Sequence, residues 1–198
     1  TKLGKVASAL LDAPVSTVSV EARGELSTES VDALGLAALR GVFAGVVDEQ
    51  VTFVNTPQIA EERGVGLTVT TADESVTHRS VLEVKAVAGD GTSVSVIGAL
   101  TGLEHIEKIV RINDRGLDLR AEGLNLFLTY TDQPGALGTV GTFLGREGIN
   151  INAAALSQDL TEGSATLVLR VEKEIPADLV ARIGEALSAS RAVQLDLA

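Results

Sequence analysis

The run Tyr130-Thr131-Asp132-Gln133-Pro134-Gly135-Ala136-Leu137-Gly138, continued by Gly148-Ile149-Asn150-Ile151-Asn152, has the residue types and spacing of a ligand site. An apolar strand ends in a polar Pro-Gly turn, a helix leaves that turn, and a second strand opens with asparagines. A helix beginning just after Pro134 presents backbone N–H groups without intrahelical partners and a partial positive charge, both suited to the carboxylate of a small ligand. Asp132 and Asn150 then receive its ammonium group and other polar atoms, and an amino acid is the natural size. A structural reading stands beside this one: Asp132 caps the helix and Asn150 only starts the strand.

A second group consists of cations at positions where apolar residues are expected. Lys108 has the spacing that places it on one strand face with Ile106, Val110 and Ile112, and Arg170 ends the run Thr166–Leu169 before continuing into Val171. Arg120 lies in the strand pair that delivers the chain into a second domain. In a chain of net charge −11, three cations converging at a domain junction make a local phosphate or carboxylate site, with the arginines able to bind in bidentate fashion. The alternative is that they snorkel to the surface or pair with Glu107, Asp118 or Glu172.

Catalytic and metal chemistry are poorly served, and neither a catalytic residue nor a metal ligand is assigned. Cysteine is absent, which removes disulfides, thiol nucleophiles and thiolate-bound metals. The two histidines, His78 and His105, stand in no nucleophile or metal-binding spacing and read as ordinary surface or strand residues. Gly135-Ala136-Leu137-Gly138 lacks the further glycines of a dinucleotide fingerprint and the acidic residue that follows it.

Periodicity and turn chemistry predict the elements that must hold these residues. Leu3, Val6, Leu10 and Leu11 predict a short helix stopped by Pro14, and Val15–Glu21 a β-branched strand. The polar start Ser27–Ser30 leads into a largely buried helix over Val31–Gly45. Thr56-Pro57 reads as N-cap and first residue of a short helix closed by Gly64. Leu67–Thr71, Val81–Ala88 and Ser93–Leu100 read as an antiparallel meander, the last two joined by Gly89-Asp90-Gly91. Ile106–Ile112 and Leu117–Glu122 form another pair. Beyond Gly123 the order is strand, helix, strand, strand, helix, strand. Leu137, Val140 and Leu144 mark one helix face and Leu179, Ile183 and Leu187 the other helix's stripe, and together these make a ferredoxin-like βαββαβ unit. The fold class is α+β, with a mixed helix and antiparallel-sheet domain over residues 1–122 followed by the βαββαβ domain over 123–198. No internal repeat or low-complexity tract interrupts them.

The 198 residues are 45% hydrophobic, enough for two small cores of Val, Leu, Ile and Ala. The acidic balance repels nucleic acid and anionic membrane surfaces, and no apolar run approaches the roughly 18 residues that span a bilayer. A soluble, cytoplasmic protein is expected. The chain begins Thr1-Lys2-Leu3-Gly4 and contains no methionine, so a piece of something longer is expected too.

The motif Tyr130–Gly138 with Gly148–Ile151, in a match running from about Leu124 to Leu197, resembles the ACT domain, the amino-acid sensor attached to many metabolic enzymes. It looks like the effector motif of the D-3-phosphoglycerate dehydrogenase ACT domain, though it is less specific for that enzyme than for ACT domains, and the region before Gly123 resembles the intervening, allosteric substrate-binding domain of the long form. The resemblance implies the regulatory C-terminal region of such an enzyme, with L-serine as feedback inhibitor bound between ACT domains of different subunits. By position, Tyr130, Asp132 and Asn150 become the serine contacts. The family often carries His or Tyr at the position of Tyr130 and Asn at that of Asp132. The resemblance also makes phosphoglycerate or phosphohydroxypyruvate the occupant of Lys108, Arg120 and Arg170. It implies a homo-oligomer through ACT domains, and NAD and hydride chemistry in a portion outside this chain, which itself holds no cofactor and catalyses nothing. Two alternatives share the same two modules: part of an iron–sulfur L-serine dehydratase, and a freestanding amino-acid-binding regulator.

Overall fold

A computed structural model describes residues 1–28, 30–73, 78, 80–159 and 163–198. Glu29 in the polar start before the second helix and residues 160–162 in the polar loop of the second domain lie outside the described residues. The chain forms two compact units, Thr1–Asp114 and Arg115–Ala198.

In the first unit, helix α1 (Lys2–Leu11) precedes strand β1 (Val15–Gly24), helices α2 (Val31–Phe43) and α3 (Thr56–Glu62), and strands β2 (Gly66–Ala72), β3 (Ser80–Ala88), β4 (Ser93–Thr101) and β5 (Ile106–Ile112). The strands lie in the order β2-β1-β3-β4-β5. β1 alternates strictly: Val18, Val20 and Ala22 are fully buried, whereas Glu21 and Arg23 form an ion pair on the opposite face, which Arg23 extends to Glu83 of β3. The meander is confined to β3, β4 and β5. β2 instead pairs parallel with β1, from Thr17 opposite Gly66 to Arg23 opposite Ala72. Helices α2 and α3 between the two strands supply the long crossover that a parallel pair requires, and this long-range pairing leaves no mark on the period-two pattern of β2.

Helices α1 and α2 meet backbone to backbone. A Cβ placed on Gly4 falls 2.1 Å from the Ala38 carbonyl oxygen, so only a glycine permits this approach. Val6, Ala7, Leu11, Ala38, Leu39, Val42 and Phe43 are buried around it, and α1 lies over β4, where Leu3 closes on Gly98.

The start of α3 differs from the expected Thr56 cap. Asn55 is the N-cap and makes no side-chain cap bond; the preceding turn is closed instead, the Thr52 N–H donating to Asn55 Oδ1 at 2.7 Å and the Asn55 N–H to Thr52 Oγ1 at 3.2 Å. Thr56, fully buried, donates its hydroxyl to the Thr52 carbonyl. This reciprocal pair satisfies two donors that otherwise have no partner. Asn55→Ala is therefore expected to cost about 1 kcal/mol, measured by chemical denaturation; an unchanged midpoint would show the pair to be dispensable.

The second unit opens with β6 (Arg115–Arg120) and continues as β7 (Leu124–Thr131), α4 (Ala136–Arg146), β8 (Ile151–Asp159), β9 (Ser164–Val171), α5 (Ala177–Leu187) and β10 (Arg191–Asp196). The pattern change at Gly123 falls after β6, while the compact unit includes β6, whose Arg115 donates to Ser164 and Thr166 of β9. The four main strands lie in the order β10-β7-β9-β8, all antiparallel, which with the βαββαβ sequence of elements is the ferredoxin-like arrangement. One core joins Leu126, Leu128 and Tyr130 of β7, Leu167 and Leu169 of β9, Val140 and Leu144 of α4, and Leu179, Ile183 and Leu187 of α5. Leu137 is a correction: the buried stripe of α4 runs through Ala136, Val140 and Leu144, and Leu137 is 48% exposed. A spacing of three and seven fits Leu137 to either edge of that stripe, and packing chose Ala136. Among the described residues no helix is long and apolar enough to cross a membrane.

Candidate functional site

The Asp132 turn sits at the end of β7, held by main-chain and side-chain bonds on either side. The Asp132 N–H donates to the Gly163 carbonyl at 2.8 Å, and Gln133 Nε2 reaches the Leu187 carbonyl at 3.2 Å at the close of α5. Gly135, at φ 86°, is the N-cap of α4, a left-handed position that favours glycine. Among the described residues no side chain caps this helix. The structural reading of Asp132 as a cap therefore fails, and the Asp132 carboxylate does not take up the first amides of α4.

A cleft of about 320 Å³ opens at this turn, lined by Tyr130, Asp132, Gln133, the start of α4 from Pro134 to Gly138, and Leu156 and Gln158 of β8. Tyr130 is 3% exposed. Burial, and secondarily the charge of Asp132, push its phenol above the ordinary pKa, so it stays protonated at neutral pH and serves as a donor. Asp132 is exposed and accepts a hydrogen bond from Gln158 Nε2 at 2.8 Å. Leu137 and Leu156, each about half exposed, form the apolar wall. The cleft thus offers helix N–H groups and a phenol to an anion, a carboxylate to a cation, and two leucines to an alkyl group.

Asn150 does not line this cleft. Ile151, its neighbour, pairs with Val171, which pairs with Leu124 at the start of β7; Asp132 follows Thr131 at the far end of the same strand. Seven strand steps separate the two ends, roughly 23 Å at 3.3 Å per residue. There, the Asn150 N–H donates to Glu172 Oε1 at 3.3 Å and its side chain to Asn152 Oδ1 at 3.2 Å. The structure brings Tyr130 and Asp132 together and holds Asn150 apart.

Gln158 escaped the sequence reading. A bulge at Asn152 resets the faces of β8, so that Ala154, Leu156 and Gln158 oppose Leu169, Leu167 and Ala165 on the helix-covered face. A polar residue closing an apolar parity was the available signal.

Of the cations, Arg170 is paired with Glu122, a partner other than those anticipated. Glu122 belongs to the turn before β7, where Asn125 Nδ2 ties the carbonyls of Glu122 and Gly123 at 3.0 and 2.8 Å. Arg120 is exposed at the end of β6. Lys108 is half-buried on β5 opposite Ala99. Its expected face is corrected: Val110 is an extra residue between the pairs Ile109–Gly98 and Arg111–Ile97. That bulge turns Ile112 onto the core face, 3% exposed, leaving Lys108 with Ile106. Among the described residues no group of three or more His, Cys, Asp or Glu is placed to hold a metal ion.

Residues 1–113 match the family model described as the D-3-phosphoglycerate dehydrogenase intervening domain, and residues 125–187 match that of the ACT domain. The chain is 49% identical over 190 residues to a D-3-phosphoglycerate dehydrogenase of Mycobacterium leprae, covering 96% of this chain and 36% of that protein. It is 47% identical over 196 residues to the enzyme of Mycobacterium tuberculosis (99% and 37%), and 27% over 180 residues to that of Bacillus subtilis (90% and 34%). The chain thus spans about a third of the length of these relatives. With an intervening domain and a regulatory ACT domain in succession, the chain belongs to the D-3-phosphoglycerate dehydrogenase family.

Proposed function

We propose that this chain is an allosteric region in which L-serine binds between ACT domains of two subunits and inhibits an NAD-dependent oxidation of 3-phosphoglycerate. The hydride chemistry and the NAD site belong to residues outside this chain, and a cytoplasmic setting goes with that role. The observation that carries the reading is the distance between Asp132 and Asn150. Roughly 23 Å of strand lies far beyond the reach of one amino acid, since even an extended chain advances only about 3.5 Å per residue. A ligand touching both residues must draw Asn150 from a second copy. Tyr130 and the first turn of α4 then receive the serine carboxylate, and Asp132 its ammonium.

Serine acts only through a difference in its affinity for the active and inhibited assemblies. The test is calorimetric titration of L-serine into the full-length protein, alongside sedimentation. Saturable binding that disappears when the assembly is dissociated is expected; saturable binding by isolated monomers, or no binding, sinks the reading. Tyr130→Phe, which removes the donor and keeps the ring, is expected to weaken serine about 5-fold. Lys108, Arg120 and Arg170 are proposed to supply positive charge for a phosphorylated substrate. Replacing all three by alanine should abolish phosphohydroxypyruvate binding heat while serine binding persists.

A further inference from the structure

We propose that Gln158 is a positioning residue that aims the Asp132 carboxylate at an ammonium group and so makes the cleft select amino acids over hydroxy acids. This inference rests on the reading of the cleft as an amino-acid site and names what sets its selectivity.

Gln158, Ala165 and Tyr130 form one row across β8, β9 and β7. Opposed residues in antiparallel strands point to the same side, so Tyr130 and Gln158 flank the fully buried Ala165 on one face. Both line the cleft, a phenol on one side and an amide on the other, together with Asp132. The Gln158 amide occupies Asp132 Oδ2 at 2.8 Å, while the Asp132 main chain is fixed by the Gly163 carbonyl. With one oxygen held, the carboxylate has a defined plane and its second oxygen remains for a ligand lining the same cleft.

The chemistry of the holder matters. A lysine or arginine would fix the carboxylate equally well and also neutralise it. A neutral amide donates a hydrogen bond and leaves the full negative charge. Among the described residues Asp132 has no cationic partner. An ammonium then gains a charge-assisted bond that a hydroxyl at the same position does not. The distinction is useful to a sensor in an enzyme whose substrate is a hydroxy acid and whose effector is an amino acid.

The experiment is calorimetry on the full-length protein with two probes of one skeleton, L-serine and glycerate, using Gln158→Ala, Asp132→Asn and the double variant Asp132→Asn/Gln158→Ala. Gln158→Ala is expected to weaken serine about 5- to 10-fold. The serine-to-glycerate affinity ratio should fall by the same factor. In the Asp132→Asn background the Gln158→Ala change should have little further effect, since neighbours acting through one group are not additive. Equal weakening of both probes, or a full additional loss in the double variant, would assign Gln158 a merely structural role and overturn the proposal. Serine binding unchanged by Gln158→Ala overturns it while leaving the amino-acid site standing. No serine binding by the unmodified protein overturns both.

Discussion

Asp132→Ala is expected to weaken L-serine binding about 30- to 150-fold, the loss of one charge-assisted hydrogen bond worth about 2–3 kcal/mol. Three features make this the largest binding effect in the cleft. Among the described residues Asp132 is its only carboxylate; its side chain is exposed to an incoming ligand; and it does not cap α4, so removing it takes no stabilising contact from the helix. The thermal midpoint should accordingly shift little, because exposed side chains away from caps and buried networks contribute within about 0.5 kcal/mol. Asp132→Asn retains an acceptor and loses the charge, and an intermediate loss near 10-fold is expected. Calorimetry with parallel thermal melts reads both quantities. If serine binds Asp132→Ala as tightly as the unmodified protein, the ammonium is held elsewhere and the orientation assigned to the ligand is wrong.

Gly4→Ala is expected to destabilise the first unit. The new Cβ meets the Ala38 carbonyl oxygen at 2.1 Å and the Val42 nitrogen at 3.1 Å, both main-chain atoms that cannot rotate away. Either α1 lifts from α2 or both helices shift, and each uncovers Val6, Ala7, Leu39 and Val42, now nearly solvent-free. Overpacking of this kind costs about 1–3 kcal/mol, and the methyl's gain in helix propensity returns up to about 1 kcal/mol. A net loss of about 1–2 kcal/mol lowers the melting temperature by roughly 2–8 °C. Gly141, also within a helix, is the control. A Cβ there meets nothing within 4 Å, so Gly141→Ala should be neutral or stabilising by up to about 1 kcal/mol. Calorimetric scans of the two variants decide the matter, and equal melting temperatures would mean that the α1–α2 contact is loose.

Much of this architecture was written in short stretches of sequence. The stripe Leu179, Ile183, Leu187 is buried as its spacing required. The Gly89-Asp90-Gly91 turn forms with Gly91 at φ 89° and Asp90 accepting the Thr92 N–H. The Pro-Gly turn ahead of α4 places a helix N-terminus beside Asp132. Helix periodicity, β-branched runs and turn residues act between positions a few residues apart, and those local preferences agree with the final fold.

The rest depended on contacts between distant segments. Whether β2 would join β1 or β3, and in which direction, rests on a crossover that its own residues do not encode. The bulges at Val110 and Asn152 exchange the faces of two strands, because one extra residue inverts a period of two. Leu137 could belong to either edge of its helix until Ala136 took the core. In the candidate site, residue types alone nominated Tyr130, Asp132 and Asn150. Tertiary structure placed the first two in one cleft, set Asn150 at the opposite end of the sheet, and brought Gln158 across two strands to Asp132. Sequence determined which groups were available, through chemistry that each residue carries by itself; strand pairing and register decided which of them meet.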